Sequence, residues 1–363
     1  MFLINGAKNL FISYEDLILS LNSGHTTDYI SSVVLNLINN REIKCWDLEH
    51  AVVEGPVKIE NKEDLLAKIA SSESTIFLRT SGTTGKPKTI AHSASRIYEN
   101  TRRHSQPAVW GLTYNPRHMG GLQVIFQALA NGNTLVDLYR KDRDSVLMEI
   151  KERSVSHLSA TPTFYRLLGP PSVSLPLVMR VTVGGELAQG STFQLIEKMF
   201  PEASINNIYA TTETGAILFS KNEVFEVNKK VRITDNILYV KGPSGSWYNT
   251  GDTVEVCSEN PLRFTFTGRS TDIINVGGNN VNPNQIEEIL RNHPDIKDAL
   301  VFGKKNSVLG NILACEIVSR KDSLSKEDVV NHLNSFNLEG FKIPRFFKFK
   351  EEVAISDNLK TKR

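Results

Sequence analysis

The stretch that most constrains this 363-residue chain runs from Thr75 to His92 and reads TIFLRTSGTTGKPKTIAH. β-branched and apolar residues at its start, and again from Lys88 onward, predict two short strands. The loop between them has little side chain to pack, but it offers hydroxyl groups, glycines that accept positive φ, and lysines. Backbone N–H groups in such a loop can converge on one anion. The predicted phosphate-binding loop comprises Thr80, Ser81, Gly82, Thr83, Thr84, Gly85 and Lys86.

An ordinary glycine-rich hairpin turn is the alternative for this loop, because two-residue glycine turns commonly join antiparallel strands. Such a turn needs neither the hydroxyl groups nor the two lysines, Lys86 and Lys88. A Walker loop is excluded, since Pro87 follows Lys86 where that motif needs a Ser or Thr to bind the metal. Gly82 also lies too close to Gly85 for that motif. The pattern therefore favours a phosphate-binding loop that is not of the kinase or GTPase type.

A second stretch, INNIYATTETG from Ile205 to Gly215, brings three kinds of nucleotide-binding group together. Tyr209 can stack on a purine ring, Thr212 can donate to a phosphate oxygen, and Glu213 offers a carboxylate of the kind that binds Mg²⁺. A Tyr and a Glu at a strand end are also common without any ligand. Because all three groups lie within a few residues, we predict an ATP site with Glu213 as its metal ligand.

Two later stretches add charged groups next to glycine turns. In WYNTGDTV, from Trp247 to Val254, Asp252 follows a glycine, and a carboxylate there can accept both ribose hydroxyls of a nucleotide. The stretch FTGRSTDIINVGG, from Phe266 to Gly278, then supplies Arg269 for contact with ribose or phosphate. These residues extend the predicted nucleotide site.

A strand predicted from Leu177 to Val183 runs into Gly184, Gly185 and Glu186. Glycines at the end of a strand let a planar ligand approach the backbone closely. A β–α turn that needs glycine only for its geometry is the alternative. The residues alone leave both open.

The composition is ordinary for a globular protein and limits the partners. Hydrophobic residues make up 40% of the chain and charged residues 23%, and the net charge is +2. So small a net charge predicts no nucleic-acid or membrane-surface partner, although slight basicity suits anionic ligands. Cys45, Cys257 and Cys315 are scattered, which predicts neither a disulfide framework nor a zinc site. With no signal-peptide pattern and no long apolar run, we expect a cytoplasmic protein without a membrane span.

The motifs follow one another in the order found in the adenylate-forming superfamily, which this chain resembles from about Phe77 to Arg363. That superfamily contains acyl-CoA synthetases, the adenylation domains of peptide synthetases, and luciferases. The Tyr-Thr-Glu strand is similar to its NxYGxTE motif, with Ala210 where the family has Gly. The tail ISDNLKTKR resembles its last motif, with Leu359 in place of Gly. By itself a lysine in a basic tail is a solvated charge, but the resemblance implies that Lys360 enters the active site.

The resemblance implies an α/β fold with a large mixed α/β N-terminal domain and a small mobile α+β C-terminal domain. We expect the N-terminal AMP-binding domain at residues 1–268 and the C-terminal lid domain at residues 269–363, with a hinge near residues 270–272. The region before the phosphate loop is shorter than is usual in the family. We therefore expect a shortened N-terminal domain.

The resemblance also identifies an acyl pocket. His118, followed by Gly120 and Gly121, resembles the family motif in which a His and a Gly pair line that pocket, although a lone His is more often structural. The turn from Gly184 to Glu186 resembles the turn that binds adenine and the acyl group. Members that activate amino acids place an Asp where this chain has the sequence from Asn115 to Arg117, which disfavours an amino acid substrate.

The activity implied by the resemblance is ATP-dependent conversion of a carboxylic acid to an acyl-adenylate, followed by thioester formation with CoA. ATP, Mg²⁺ and CoA are the expected cofactors and co-substrates. The spacing of glycines, Pro and Glu between Gly277 and Glu287 is found in o-succinylbenzoate-type CoA ligases. The residues expected to act in catalysis are His118, Thr212, Glu213 and Lys360.

Two alternatives remain at the level of the sequence. In the first, the phosphopantetheine arm of an acyl carrier protein accepts the acyl group in place of CoA, since the same adenylate chemistry serves both thiols. A catalytically inactive nucleotide-binding interaction protein is the alternative from a different class, favoured by Ala210 and Leu359. Retention of all the charged residues of the predicted nucleotide site argues against the inactive protein.

Overall fold

The computed structural model describes residues 1–5, 10–80, 88–169, 174–211, 214–242, 244–306, 310–351, 354 and 356. The chain forms two compact units. The first comprises Met1–Ala160 and Leu175–Val181, and the second comprises Thr161–Ser174 and Thr182–Arg363. The boundary predicted near residue 269 lies inside the second unit, so separate movement of residues 269–363 stays a prediction. No helix in the described ranges is long and apolar enough to cross a membrane.

The first unit combines parallel strands with helices. Its strands are β1 (Leu3–Asn5), β2 (Leu10–Ile12), β3 (Ile43–Lys44), β4 (Thr75–Thr80), β5 (Lys88–Ser93), β6 (Val109–Leu112), β7 (Thr134–Asp137) and β8 (His157–Ala160). Its helices are α1 (Tyr14–Ser23), α2 (Tyr29–Ile38), α3 (Lys62–Ala70), α4 (Ala94–Glu99), α5 (Met119–Ala130) and α6 (Arg143–Glu152). Strand β6 pairs in parallel with β7 and β8, and β1 pairs in parallel with β7 and antiparallel with β2.

A smaller sheet of the first unit holds the strands that flank the predicted phosphate loop. Strand β4 pairs in parallel with β3 and antiparallel with β5, and the register joins Thr80 to Lys88. Ile76 and Leu78 of β4 are buried, because alternate side chains of a strand point to the same face. The two strands predicted on either side of the loop are confirmed.

The second unit begins with a short helix and is otherwise rich in antiparallel strands. Its helices are α7 (Pro162–Leu168), α8 (Gly190–Met199), α9 (Pro283–Arg291) and α10 (Lys326–Asn334). Its strands are β9 (Arg180–Gly184), which begins in the first unit, and β10 (Ser204–Thr211), β11 (Gly215–Ser220), β12 (Val224–Glu226), β13 (Val231–Thr234), β14 (Ile237–Lys241), β15 (Trp247–Glu259), β16 (Leu262–Arg269), β17 (Ile274–Val276), β18 (Asn279–Val281), β19 (Ile296–Asn306), β20 (Gly310–Ser319) and β21 (Phe346–Lys350).

Antiparallel pairing in the second unit positions the candidate site. Strands β12, β16, β15, β14 and β13 form one sheet in that order, and β10 pairs with β11. Residues Asp252 and Arg269 face each other across β15 and β16. Tyr209 and Phe266 pack on a buried apolar cluster that includes Phe225 and Phe264, so the aromatic core of this sheet fixes Tyr209.

The last part of the second unit is a compact α+β arrangement. Strand β19 pairs antiparallel with β20, which pairs in parallel with β21. Helix α9 begins with Asn282 as its N-cap and Pro283 in its first turn, which is a common helix start. A 3-10 turn from Ser270 to Asp272 precedes this part, at the position of the predicted hinge. The mixed α/β class predicted from the sequence is confirmed by these elements.

Candidate active site

Asp252 accepts hydrogen bonds from two of the other residues predicted for the nucleotide site. The Tyr209 hydroxyl donates to its Oδ2 at 2.5 Å, and Arg269 Nε donates to its Oδ1 at 3.1 Å. The short bond from Tyr209 is typical of an O–H group that donates to a charged acceptor. Gly251, directly before Asp252, has φ of 74°, a left-handed conformation that glycine adopts without strain. The structure therefore brings Tyr209, Asp252 and Arg269 together from three different strands.

Burial and charge keep Tyr209 in its protonated form. Desolvation raises the pKa of the Tyr209 hydroxyl, and the nearby Asp252 carboxylate raises it further. Because the hydroxyl stays protonated, it remains a donor to Asp252. The Asp252 side chain is 13% exposed and the Arg269 side chain is 52% exposed, so the arginine reaches solvent while the carboxylate is held beneath it.

The aromatic ring of Tyr209 already has one partner. It stacks on Phe266, with ring centroids 4.6 Å apart and planes inclined by 22°. A purine that stacked on Tyr209, as the sequence predicts, would therefore use the opposite ring face.

Four polar residues near this cluster are not among the residues predicted for the nucleotide site. The Thr211 hydroxyl lies 3.1 Å from the Tyr248 hydroxyl and 2.8 Å from the Thr214 hydroxyl. Ser270 Oγ donates to the Gly251 carbonyl at 3.2 Å. Tyr248 lies inside the WYNTGDTV stretch, so its proximity to Asp252 in sequence was the available signal.

The Gly184–Glu186 turn has a structural role that the sequence left open. Gly185 has φ of 85°, which explains the need for glycine at this strand end. Glu186 Oε2 accepts from the Thr163 backbone N–H at 3.1 Å and so satisfies a donor in the first turn of α7. A role for this turn in binding adenine stays a prediction.

His118 lies beside a polar cavity of the first unit. The cavity has a volume of about 390 Å³. It is lined by Trp46, Glu49, Arg79, Asn115, Arg117 and His118. His118 is the N-cap of α5, which begins without a side-chain cap. Among these residues only His118 was predicted to contact a ligand. Arg79 directly precedes the predicted phosphate loop and Arg117 directly precedes His118, which was the signal available for both.

Several predicted site residues lie outside the described residues. They are Ser81, Gly82, Thr83, Thr84, Gly85, Lys86, Thr212, Glu213 and Lys360. Thr80 is the last residue of β4. Among the residues that the structure describes, no group of three or more His, Cys, Asp or Glu side chains is arranged to hold a metal ion. The assignment of Mg²⁺ to Glu213 stays a prediction.

Comparison with known proteins places these features in a family. The family model described as AMP-binding enzyme matches residues 23–258, and the model of the AMP-binding enzyme C-terminal domain matches residues 285–361. The chain is 24% identical over 348 residues to 2-succinylbenzoate–CoA ligase of Staphylococcus aureus (strain JH9), which covers 85% of this chain and 69% of that protein.

Solved structures show the same fold. The anthranilate CoA ligase AuaEII in complex with anthranoyl-AMP matches with a TM-score of 0.65 and 18% identity, over 79% of this chain and 65% of that one. The o-succinylbenzoate CoA synthetase of Bacillus subtilis in complex with its acyl-adenylate matches with a TM-score of 0.59 and 21% identity, over 79% of this chain and 67% of that one. The chain thus spans 65–69% of the length of these relatives. The predicted adenylate-forming fold is confirmed.

Proposed function

Because this chain belongs to the AMP-binding enzyme family, we propose that it activates a carboxylic acid with ATP and transfers the acyl group to CoA. In the first step a carboxylate oxygen attacks the α-phosphorus of ATP, pyrophosphate leaves, and an acyl-adenylate forms. In the second step the CoA sulfur loses its proton and attacks the acyl carbon, and AMP leaves. The product is an acyl-CoA thioester.

The observation that carries this proposal is the Tyr209–Asp252–Arg269 cluster. An ionised carboxylate has about four acceptor sites, and Tyr209 and Arg269 each occupy one. The remaining sites of Asp252 can accept the two ribose hydroxyls of ATP. Arg269 uses Nε for Asp252, so its remaining N–H groups are available to ribose or phosphate oxygens. The side chains present therefore fit a nucleotide.

The residues that we propose to bind the phosphates and the metal lie almost entirely outside the described residues. We assign the phosphates to the loop from Thr80 to Lys86, with Thr212 as a further donor. Mg²⁺ commonly uses one or two protein carboxylates together with phosphate oxygens, so Glu213 alone is a suitable protein ligand. When bound, Mg²⁺ neutralises charge on the phosphates. Lys360 supplies a further positive charge to the phosphates, in addition to that of Mg²⁺.

The most informative acid to test first is 2-succinylbenzoate, because relatives of this chain carry that name. Those relatives are CoA ligases, which favours CoA over a carrier protein as acceptor.

We place the reaction in the cytoplasm, where ATP and CoA are available. The inactive nucleotide-binding protein remains the second candidate, on account of Ala210.

The proposal is tested by acid-dependent pyrophosphate release across aliphatic, aromatic and amino acids, followed by thioester formation with CoA or with a carrier protein. We expect release with at least one aromatic or keto acid and transfer to CoA. ATP binding without pyrophosphate release by any acid would instead support the inactive protein. Transfer to the carrier protein alone would overturn the choice of CoA.

A further inference from the structure

The cavity beside His118 contains two arginines to which the proposed reaction assigns no role. Its volume of about 390 Å³ lies at the small end of the range for ligand pockets. We propose that Arg79 and Arg117 form an oxyanion subsite in this cavity. It binds either a second carboxylate of the acid, the one that is not activated, or phosphate oxygens of ATP. The identity of the oxyanion rests on the proposed function.

Arg79 is directed into the cavity by the alternation of strand β4. Ile76 and Leu78 occupy the buried face, so Arg79 lies on the other face. Its guanidinium carbon lies over the Trp46 ring, 4.2 Å from the ring centroid. An aromatic face orients the guanidinium but leaves its N–H groups available at the edge. Thr80 follows directly, so this charge stands at the start of the predicted phosphate loop.

Arg117 lines the same cavity and is held in a similar way. Its guanidinium carbon lies 4.9 Å from the centroid of the Tyr29 ring, and Nη1 donates to the Cys45 carbonyl at 3.1 Å. The backbone N–H of Arg117 donates to Asn115 Oδ1 at 3.0 Å, which fixes the loop. Neither the ring nor the carbonyl neutralises the positive charge.

The charge in the cavity is not balanced by the described side chains. In the part of the chain that the structure describes, neither Arg79 nor Arg117 forms an ion pair with a carboxylate. Glu49 lines the same cavity, so its lining includes two positively charged arginines and one carboxylate. Carboxylates and phosphates are the anions that match the planar donor geometry of a guanidinium group.

Helix α5 adds to the positive potential. It begins at Met119, directly after His118, and lacks a side-chain cap, so the first backbone N–H groups and the positive end of the helix dipole lie at this side of the cavity. A Cβ at Gly121 would lie 2.3 Å from the Asn115 carbonyl oxygen, which shows how closely the loop packs on the first turn. That packing holds the segment before Arg117 against the first turn of α5.

The test uses the full chain carrying Arg79→Gln or Arg117→Gln, with Arg96→Gln, an exposed arginine of α4, as the charge-matched control. Calorimetry measures the binding of four probes: ATP, pyrophosphate, 2-succinylbenzoate and 4-oxo-4-phenylbutanoate, which lacks the ring carboxylate. We expect each cavity variant to lose at least tenfold in affinity for one class of probe, and the corresponding Arg→Lys variant to recover part of it. Circular dichroism checks that all variants fold.

The pattern of losses distinguishes the two oxyanions. A loss confined to 2-succinylbenzoate identifies the second carboxylate, and a loss shared by ATP and pyrophosphate identifies phosphate oxygens. Cavity variants that bind all four probes as tightly as Arg96→Gln overturn the subsite. Wild-type protein that binds these probes but releases no pyrophosphate with any acid contradicts the proposed function alone, and wild-type protein that binds none of them contradicts both.

Discussion

At the scale of single residues, Asp252 is the side chain whose removal should separate nucleotide binding from acid binding. Asp252→Ala deletes the acceptor for both ribose hydroxyls, and hydrogen bonds to a charged group contribute about 1.5–3 kcal/mol each. We therefore expect ATP affinity to fall at least tenfold while affinity for a responsive acid changes little, as measured by calorimetry. Glu255→Ala, an exposed carboxylate on the same strand, is the control. Unchanged ATP affinity in Asp252→Ala would remove this residue from the site.

His157 provides a prediction about pH. Burial, together with the charges of Arg180 and His104, lowers its pKa to about 4. The unfolded chain binds this proton near pH 6.5 and the folded chain only near pH 4, so between these values the unfolded state holds more protons. The stabilisation from neutral His157 is therefore present above pH 6.5 and is lost as the pH falls toward 4.

Thermal unfolding at several pH values tests this statement. His157→Gln should flatten the decline in Tm between pH 6.5 and pH 4 relative to the wild type, since glutamine does not titrate. His25→Gln, at an exposed histidine of the same unit, serves as the matched control. A decline that is as steep in His157→Gln as in the control would show that other groups cause it.

Residue types in the nucleotide site could be predicted from the sequence, but their partners could not. Tyr209 was assigned to purine stacking from its place in a motif. Its hydroxyl bond to Asp252 joins residues 43 positions apart, and its ring contact with Phe266 depends on the packing of two strands. Local spacing carries no information about either distance. The role proposed for Arg79 has no local signal for the same reason, because only the fold places it in one cavity with Arg117.

At the scale of elements, apolar patterning predicts the two strands on either side of the phosphate loop, but it does not predict where longer strands end. Strand β19 runs from Ile296 to Asn306, well past its buried residues, because its antiparallel ladder with β20 continues through Lys304 and Lys305. Backbone pairing can extend a strand into a region where the side chains are exposed. Because those side chains are polar, a search for apolar residues does not detect that part of the strand. The start of α7 follows from local sequence, since Thr161 caps the helix through the Phe164 N–H and Pro162 follows directly.

The start of helix α5 yields a prediction about close packing. Gly121→Ala would place Cβ 2.3 Å from the Asn115 carbonyl oxygen and 2.6 Å from Pro116 Cα, so backbone must move. Overpacking of this kind costs about 1–3 kcal/mol. We expect a lower Tm and weaker binding of any ligand that uses Arg117. Gly340→Ala, where no atom lies within 4 Å of the added Cβ, should leave both unchanged. Equal effects of the two substitutions would contradict the role of this packing.

At the scale of the whole molecule, a buried charge network joins distant parts of the second unit. Asp298 Oδ1 lies 2.8 Å from Arg291 Nε and 3.2 Å from Arg166 Nε. Burial alone would raise the pKa of Asp298, but the two guanidinium groups lower it. Glu288 also accepts from the Ser191 backbone N–H at 2.7 Å and from its hydroxyl at 2.6 Å. Sequence patterns do not predict the contacts of Asp298 with Arg166 or of Glu288 with Ser191, because nothing local relates positions this far apart.

These contacts tie α7 and α8 to the segment predicted as a mobile lid, so they define one arrangement that a turn about residues 270–272 would have to break. Lys360 belongs to the same predicted lid and lies outside the described residues. If the lid turns between the two half-reactions, Lys360 can neutralise the phosphates during adenylate formation and is withdrawn before the thiol attacks. Only the first half-reaction should then depend on it.

Lys360→Ala should slow acyl-adenylate formation by orders of magnitude, as loss of a preorganised charge does. It should leave the conversion of supplied acyl-adenylate to thioester nearly unchanged. Single-turnover experiments follow each half-reaction separately, with CoA as the acceptor. Lys362→Ala removes the same charge from the same tail and is the matched control, expected to alter neither step. Impairment of both half-reactions to the same extent by Lys360→Ala would mean that this lysine serves the whole cycle and that the lid does not alternate.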